Sequence, residues 1–211
     1  MDSRTEIILV HGLWFRSWAM ARLARRLRAA GFTVRGFNYR STRDGLDSHA
    51  RRLRAFARHT GERHQHFVGH SLGGLVILRM LDEQDSLPPG RVIFLGSPLR
   101  GSIVARKAAR VPGATALMGK IQSALDSGYA AMPGGREAGM IAGTRSVGVG
   151  WMVGGTGGPG DGTVAVEETR ASGLVDHCQL PVTHTSMLFN AEVARQTAIF
   201  LKTGAFDRSG T

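Results

Sequence analysis

The chain has 211 residues, a length that suits one domain more than two. Hydrophobic residues make up 42% and aromatics 7%, which excludes a disordered chain, and the single cysteine excludes an internal disulfide or a multi-cysteine zinc site. Lys and Arg number 27 against 16 Asp and Glu, a net charge of +11 that raises nucleic acid, anionic lipid or an acidic substrate as partners.

The N-terminus (MDSRTEIILVHG) has no basic segment ahead of a long apolar core, and no run approaches the ~18 apolar residues that span a bilayer. The expectation is a soluble, cytoplasmic protein. Glu6–Val10 is a short apolar run, the mark of a strand buried on both faces. Ser17–Ala30 repeats its apolar residues at helical spacing, with Ser17 as candidate cap and Gly31 as terminator. Thr33–Tyr39 reads as a strand and Leu46–His59 as a second amphipathic helix. His66–Gly69 is a third strand, Leu72–Gln84 a third helix and Arg91–Gly96 a fourth strand. Strand and helix alternate at the spacing of βαβ units, so the expected class is α/β with a parallel sheet covered on both faces.

Leu99–Gly143 is rich in Gly, Ala and Pro, with weak helical patches at Ser102–Arg110 and Thr115–Leu125, and reads as an irregular insertion. A fifth strand is expected near Val147–Val153, a Gly-rich loop at Gly154–Gly162, a sixth strand near Leu174–Pro181 and a last helix at Ala191–Lys202. No linker divides the chain, so residues 1–211 form one domain.

Gly69-His70-Ser71-Leu72-Gly73 matches G-x-S-x-G, between an apolar strand and a helical pattern. A serine at such a turn is held in a strained conformation with its Oγ presented, and small residues two before and two after leave room for it. The hydroxyl is a weak nucleophile and needs a base and an orienting acid. Only His177 and His184 follow Ser71; His177 lies inside a strand pattern, whereas His184 sits just beyond it, where a loop can deliver a base. Among the downstream acids, Asp161 follows the Gly-rich loop and precedes the strand leading to His184. Glu167 and Glu168 read as a solvated pair, and Asp176 shares the strand problem of His177. The candidate oxyanion donors are the backbone N–H groups of Leu72, directly after the nucleophile, and Leu13, in the loop after the first strand. Trp14 is placed at the rim of the substrate pocket, with His70 beside the nucleophile as a further pocket residue.

The segments ILVHGLW, VGHSLGG, FLGSPLRGS, DGTV and THTSM together resemble the serine α/β-hydrolases of the lipase/esterase group, in particular the small bacterial members built on six parallel strands. The resemblance covers most of the chain. It implies a compact α/β-hydrolase fold with strand order 2-1-3-4-5-6, without the first two antiparallel strands of larger relatives and with residues 99–143 where those carry a cap or lid. It also implies Ser71 as nucleophile, His184 as general acid/base, Asp161 as its carboxylate and the Leu13 and Leu72 amides as oxyanion hole. The expected activity is hydrolysis of a small acyl ester or lipid through an acyl-enzyme, with thioesterase and acyltransferase as variants. No metal or other cofactor is implied.

Gly155–Gly160 matches G-x-G-x-x-G formally, but Pro159 and Asp161 interrupt it and a loop carrying the acid explains it better, so a dinucleotide site is set aside. The competing class is a non-catalytic basic module binding nucleic acid or anionic membrane; no nucleic-acid motif accompanies the charge. Arg16–Arg63 holds 13 arginines against Asp44, Asp47 and Glu62, so the excess falls on the first two helices and nearby loops. Peripheral contact with anionic membrane through those helices is the expectation that the charge carries.

Overall fold

The computed structural model describes residues 5–59, 63–82, 87–111, 113, 116, 118–129, 131–132, 135–148, 150 and 155–209. Six strands form one sheet: β1 (Thr5–Val10), β2 (Thr33–Phe37), β3 (His64–His70), β4 (Val92–Leu95), β5 (Ala138–Gly143) and β6 (Asp176–Leu180). Their order is β2-β1-β3-β4-β5-β6 and every neighbouring pair is parallel. The helices are α1 (Ala21–Ala29), α2 (Leu46–Arg58), α3 (Leu72–Leu81), α4 (Ile103–Ala108), α5 (Gln122–Ser127) and α6 (Ala191–Thr203).

The central strands bury both faces because alternate side chains enter opposite layers. Ile7, Leu9, Val68, Ile93, Leu95 and Ile141 pack under α1 and α6. Ile8, Val10, Phe67, Val92, Phe94 and Met140 pack under α2 and α3. Burying side chains of this size stabilises by about 1.5–3 kcal/mol each, so the IILV run of β1 alone is a strong anchor for the sheet.

Helix boundaries follow local chemistry. Gly31, at φ 95°, ends α1 in a Schellman turn: the Phe32 N–H reaches the Leu27 carbonyl and the Gly31 N–H the Arg28 carbonyl. The start of α1 differs from expectation. Ser17–Met20 is a 3-10 turn, Met20 stands at the cap position, and no side chain caps the helix. Asn190 caps α6 by accepting from the Glu192 and Val193 N–H groups.

The largest departure is the fifth strand. It is Ala138–Gly143, inside the segment expected to be irregular, so that segment ends at residue 137 and holds α4 and α5. Residues 144–148 carry no strand, and 149 and 151–153 of the expected Val147–Val153 run lie outside the described residues. The physical reason is crowding. A Cβ on Gly139 would lie 2.6–2.9 Å from the Phe200 ring of α6, and one on Gly143 would meet the Val182 carbonyl at 2.5 Å. The strand is therefore built of AGMIAG and lacks the bulky β-branched run by which strands are recognised.

Among the described residues, no helix is long and apolar enough to cross a membrane.

Candidate active site

The chain runs from β1 outward to β2, then returns past β1 to β3, so the strand order reverses between β1 and β3. In open parallel sheets the crevice at the C-terminal ends of such a pair is the natural ligand site. The loop after β1 carries Leu13 and Trp14, and the turn after β3 carries Ser71.

Ser71 has φ 54° and ψ −123°, a left-handed backbone that a residue with a side chain rarely adopts. Its N–H donates to the Leu95 carbonyl at 2.9 Å and its carbonyl accepts from Gly74 N–H at 3.0 Å, which holds the sharp strand-to-helix turn. The turn closes only because two glycines admit backbone: a Cβ on Gly73 would sit 2.1 Å from the Val10 carbonyl oxygen, and one on Gly69 would sit 2.6 Å from Gly74 N. Leu72 is the first residue of α3, where the N–H has no intrahelical acceptor and the helix end favours negative charge.

Asp161 and His184 meet at the same edge of the sheet. Asp161 is 1% exposed, and its Oδ1 accepts from the Thr163 and Val164 N–H groups at 2.9 and 2.7 Å. Its Oδ2 accepts from His184 Nδ1 at 2.7 Å, and the His184 N–H donates to the Asp161 carbonyl at 2.9 Å. Nδ1 carries the proton in this arrangement, which leaves Nε2 as the basic nitrogen. His184 and Ser71 line one cavity of about 380 Å³, together with Leu13, Trp14 and His70. Its remaining wall is largely apolar and includes Phe15, Val104, Ala105, Met118 and Leu125, several of them from the segment between β4 and β5.

The structure thus brings Ser71, Asp161, His184, Leu13, Leu72, Trp14 and His70 to one place. Trp14 is 60% exposed at φ 62°, its N–H donating to the buried Ser41 Oγ at 2.9 Å. His70 is fully buried, and its Nε2–H donates to the His184 carbonyl at 2.9 Å. Burial, reinforced by the His184 ring 4.7 Å away, pushes His70 down to about 3, so its imidazole is neutral. His11 fixes the preceding loop: it stacks on Tyr39, its Nδ1–H donates to the Gly12 carbonyl at 2.9 Å, and its Nε2 accepts from Tyr39 N–H at 3.3 Å. His177 is elsewhere, on β6, paired with Thr169 Oγ1 at 2.9 Å, and Asp176 is engaged by Arg208 and the Phe206 N–H.

Two contributors escaped the sequence reading. Glu168 is not half of a solvated pair: it is 5% exposed, and its carboxylate accepts from the Ala165 N–H at 2.8 Å and from the Ile103 N–H at the start of α4. It ties the wall of the cavity to the Asp161 loop, and burial raises its pKa against the pull of those two amides. Gly96, at φ 55°, ends β4 beneath the Asp–His pair; a Cβ there would lie 2.8 Å from Asp161 Oδ2 and 3.2 Å from His184 Nδ1. The sequence marks Gly96 only as a glycine after a buried strand, within the FLGSPLRGS segment of the family resemblance; its place beneath the Asp–His pair is not legible there.

A parallel six-stranded sheet with a strained serine turn at its switch point and an Asp–His pair beside it defines the class of α/β hydrolases. Residues 7–195 match the model of the alpha/beta hydrolase family, and the chain belongs to that family. Solved structures agree on the fold. The mature lipase BlEst2 of Bacillus licheniformis is 19% identical, with a TM-score of 0.74 over 96% of this chain and 92% of that one. The metagenomic carboxyl esterase MGS0156 is 14% identical, with a TM-score of 0.69 over 89% and 66%. The Paleococcus ferrophilus monoacylglycerol lipase is 16% identical, with a TM-score of 0.61 over 93% and 92%. No curated protein matches the sequence.

Proposed function

We propose that the protein is a serine carboxylic-ester hydrolase working through an acyl-enzyme on Ser71. The observation that carries this reading is the pairing of Asp161 with His184 Nδ1, with His184 and a serine in left-handed backbone lining one cavity. The lipase and esterase structures of the same fold support it by analogy.

In this mechanism Ser71 Oγ attacks the ester carbonyl while His184 Nε2 takes its proton. The Leu13 and Leu72 N–H groups hold the oxyanion, a contribution that costs about 10²–10³ in rate when one such donor is lost. His184 returns the proton to the departing alcohol. It then takes a proton from water, whose oxygen attacks the acyl carbon and releases the acid and Ser71. Asp161 stays ionised and fixes the imidazole tautomer. The apolar wall of the cavity suits the acyl chain.

The test is a serine-reactive fluorophosphonate probe with hydrolysis of a chromogenic short-chain acyl ester. Ser71→Ala is expected to abolish labelling and to lower hydrolysis by at least about 10³-fold. A variant that still labels or still turns over would overturn the assignment.

A further inference from the structure

The catalytic cavity opens beside a second, differently built depression. Trp14 and Phe15 line both, and beyond them the wall becomes Arg16, Arg40 and Arg43, with Tyr39, Ser41 and Thr42. The same three arginines continue into a third depression with Asn38, Asp44 and Arg52. Arg16 comes from the loop that carries Leu13, and Arg40 and Arg43 from the loop after β2, where the Arg43 N–H closes a turn on the Arg40 carbonyl at 3.0 Å. Both loops leave the C-terminal ends of strands, the edge that also presents Ser71.

Only one pair of the charges in this groove is used internally. Asp44, the carboxylate that lines it, pairs with Arg52 at 3.5 Å. Among the described residues, Arg16, Arg40 and Arg43 have no carboxylate partner, and all three are exposed. Three like charges beside one carboxylate that Arg52 already engages are a cost to the fold unless an anion relieves it. Guanidinium groups bind phosphate through paired N–H donors, and these three line the same two adjoining depressions.

An ester held at Ser71 has two arms. The cavity wall suits a hydrocarbon arm, and Trp14 and Phe15 join that cavity to the arginine-lined depression. We propose that Arg16, Arg40 and Arg43 form an anion subsite for the alcohol portion of the substrate, which makes esters of phosphate-bearing alcohols the preferred class. The inference rests on the ester-hydrolase reading and deepens it.

The experiment compares two soluble esters with the same short acyl chain, a glycerol monoester and the matching monoester of glycerol 3-phosphate, at about 0.01 M and about 0.15 M ionic strength. The phosphorylated ester is expected to have a kcat/KM about tenfold higher at low salt, mainly through KM, with the ratio falling at high salt. The triple variant Arg16→Gln/Arg40→Gln/Arg43→Gln should bring the ratio near one, and a charge-matched triple at Arg22, Arg25 and Arg51, which line none of these depressions, should keep it. If the first triple is not folded by thermal melting, Arg43→Gln alone should still lower the ratio. Equal loss in both triples assigns the effect to net charge and overturns the subsite, as does a wild-type ratio of one. A preference found only with vesicles of phosphatidylglycerol over phosphatidylcholine, and not with the soluble pair, assigns the arginines to a lipid surface and also overturns it. Failure to hydrolyse either soluble ester, by contrast, counts against the hydrolase reading itself.

Discussion

Nδ1 of His184 lies 2.7 Å from Oδ2 of Asp161, and the His184 N–H donates back to the Asp161 carbonyl at 2.9 Å. The two residues are therefore locked through both side chain and backbone. Because Oδ1 is occupied by the Thr163 and Val164 N–H groups, the carboxylate cannot rotate away from the imidazole without giving up two charge-assisted bonds.

Asp161→Asn exploits that lock. The asparagine Oδ1 can keep both backbone amides, which directs its NH₂ at His184 Nδ1 and forces the imidazole proton to Nε2. In the proposed mechanism the base would then have no lone pair for the Ser71 proton. Ester hydrolysis is expected to fall by roughly 10³–10⁴-fold at neutral pH with the fold retained, as wrong-tautomer substitutions do in such triads. Steady-state kinetics and a thermal melt on the same preparation check both halves.

Much of this geometry was legible before any coordinates. β1, β3 and β4 announce themselves because they are buried on both faces and carry continuous apolar runs. Ser71 is marked by its flanking glycines, and His184 by lying just past a strand at the active edge. The illegible parts share a cause: their residues are chosen by what presses on them. β5 is small because Phe200 and Val182 lie against it, and neither neighbour is near in sequence. Glu168 resembles its exposed neighbour Glu167 in sequence, but its role is set by the Ile103 and Ala165 amides, one of them 65 residues away. Gly96 likewise takes its meaning from Asp161 and His184.

Gly96→Ala puts that last point to the test. The residue sits at φ 55°, where a Cβ costs about 1–2 kcal/mol, and the new methyl would press on Asp161 Oδ2 at 2.8 Å. The Asp–His pair would have to shift. A misplacement of about 1 Å costs on the order of 10²-fold in rate. The expectation is a drop of about 10²-fold in kcat, a smaller change in KM, and a lower melting temperature.

In the proposed mechanism His70 would act through His184 as a positioning residue. Its Nε2–H satisfies the His184 carbonyl in a buried setting, and its other face packs against Gly12, where a Cβ would lie 3.0 Å from Nδ1. His70→Phe fills the space but leaves that carbonyl unpaired, at a cost of about 1–3 kcal/mol of stability. The base loop would loosen, lowering kcat with little effect on KM. His70→Gln, whose Nε2 can reach a similar point, should restore most of kcat; equal losses in both variants would point to packing alone.

Burial of histidines also sets how the fold meets acid. Burial holds His70 at about 3, while burial together with the nearby Arg91, Arg136 and His64 holds His66 at about 4. His66 Nδ1 accepts from the Arg91 N–H at 2.7 Å and has a structural reason to stay neutral. In the unfolded chain both return to about 6.5. Below that value the unfolded state binds protons that the folded state refuses, so stability is lost as pH falls from about 6.5 toward about 4. The loss approaches about 1.4 kcal/mol per pH unit for each histidine in that window. Urea unfolding between pH 7 and pH 5 should show a stability that declines throughout the range. His70→Gln has no proton to gain there, so its slope should be shallower than wild type, by a difference that approaches one proton near pH 5; an unchanged slope would mean that His70 titrates normally in the fold.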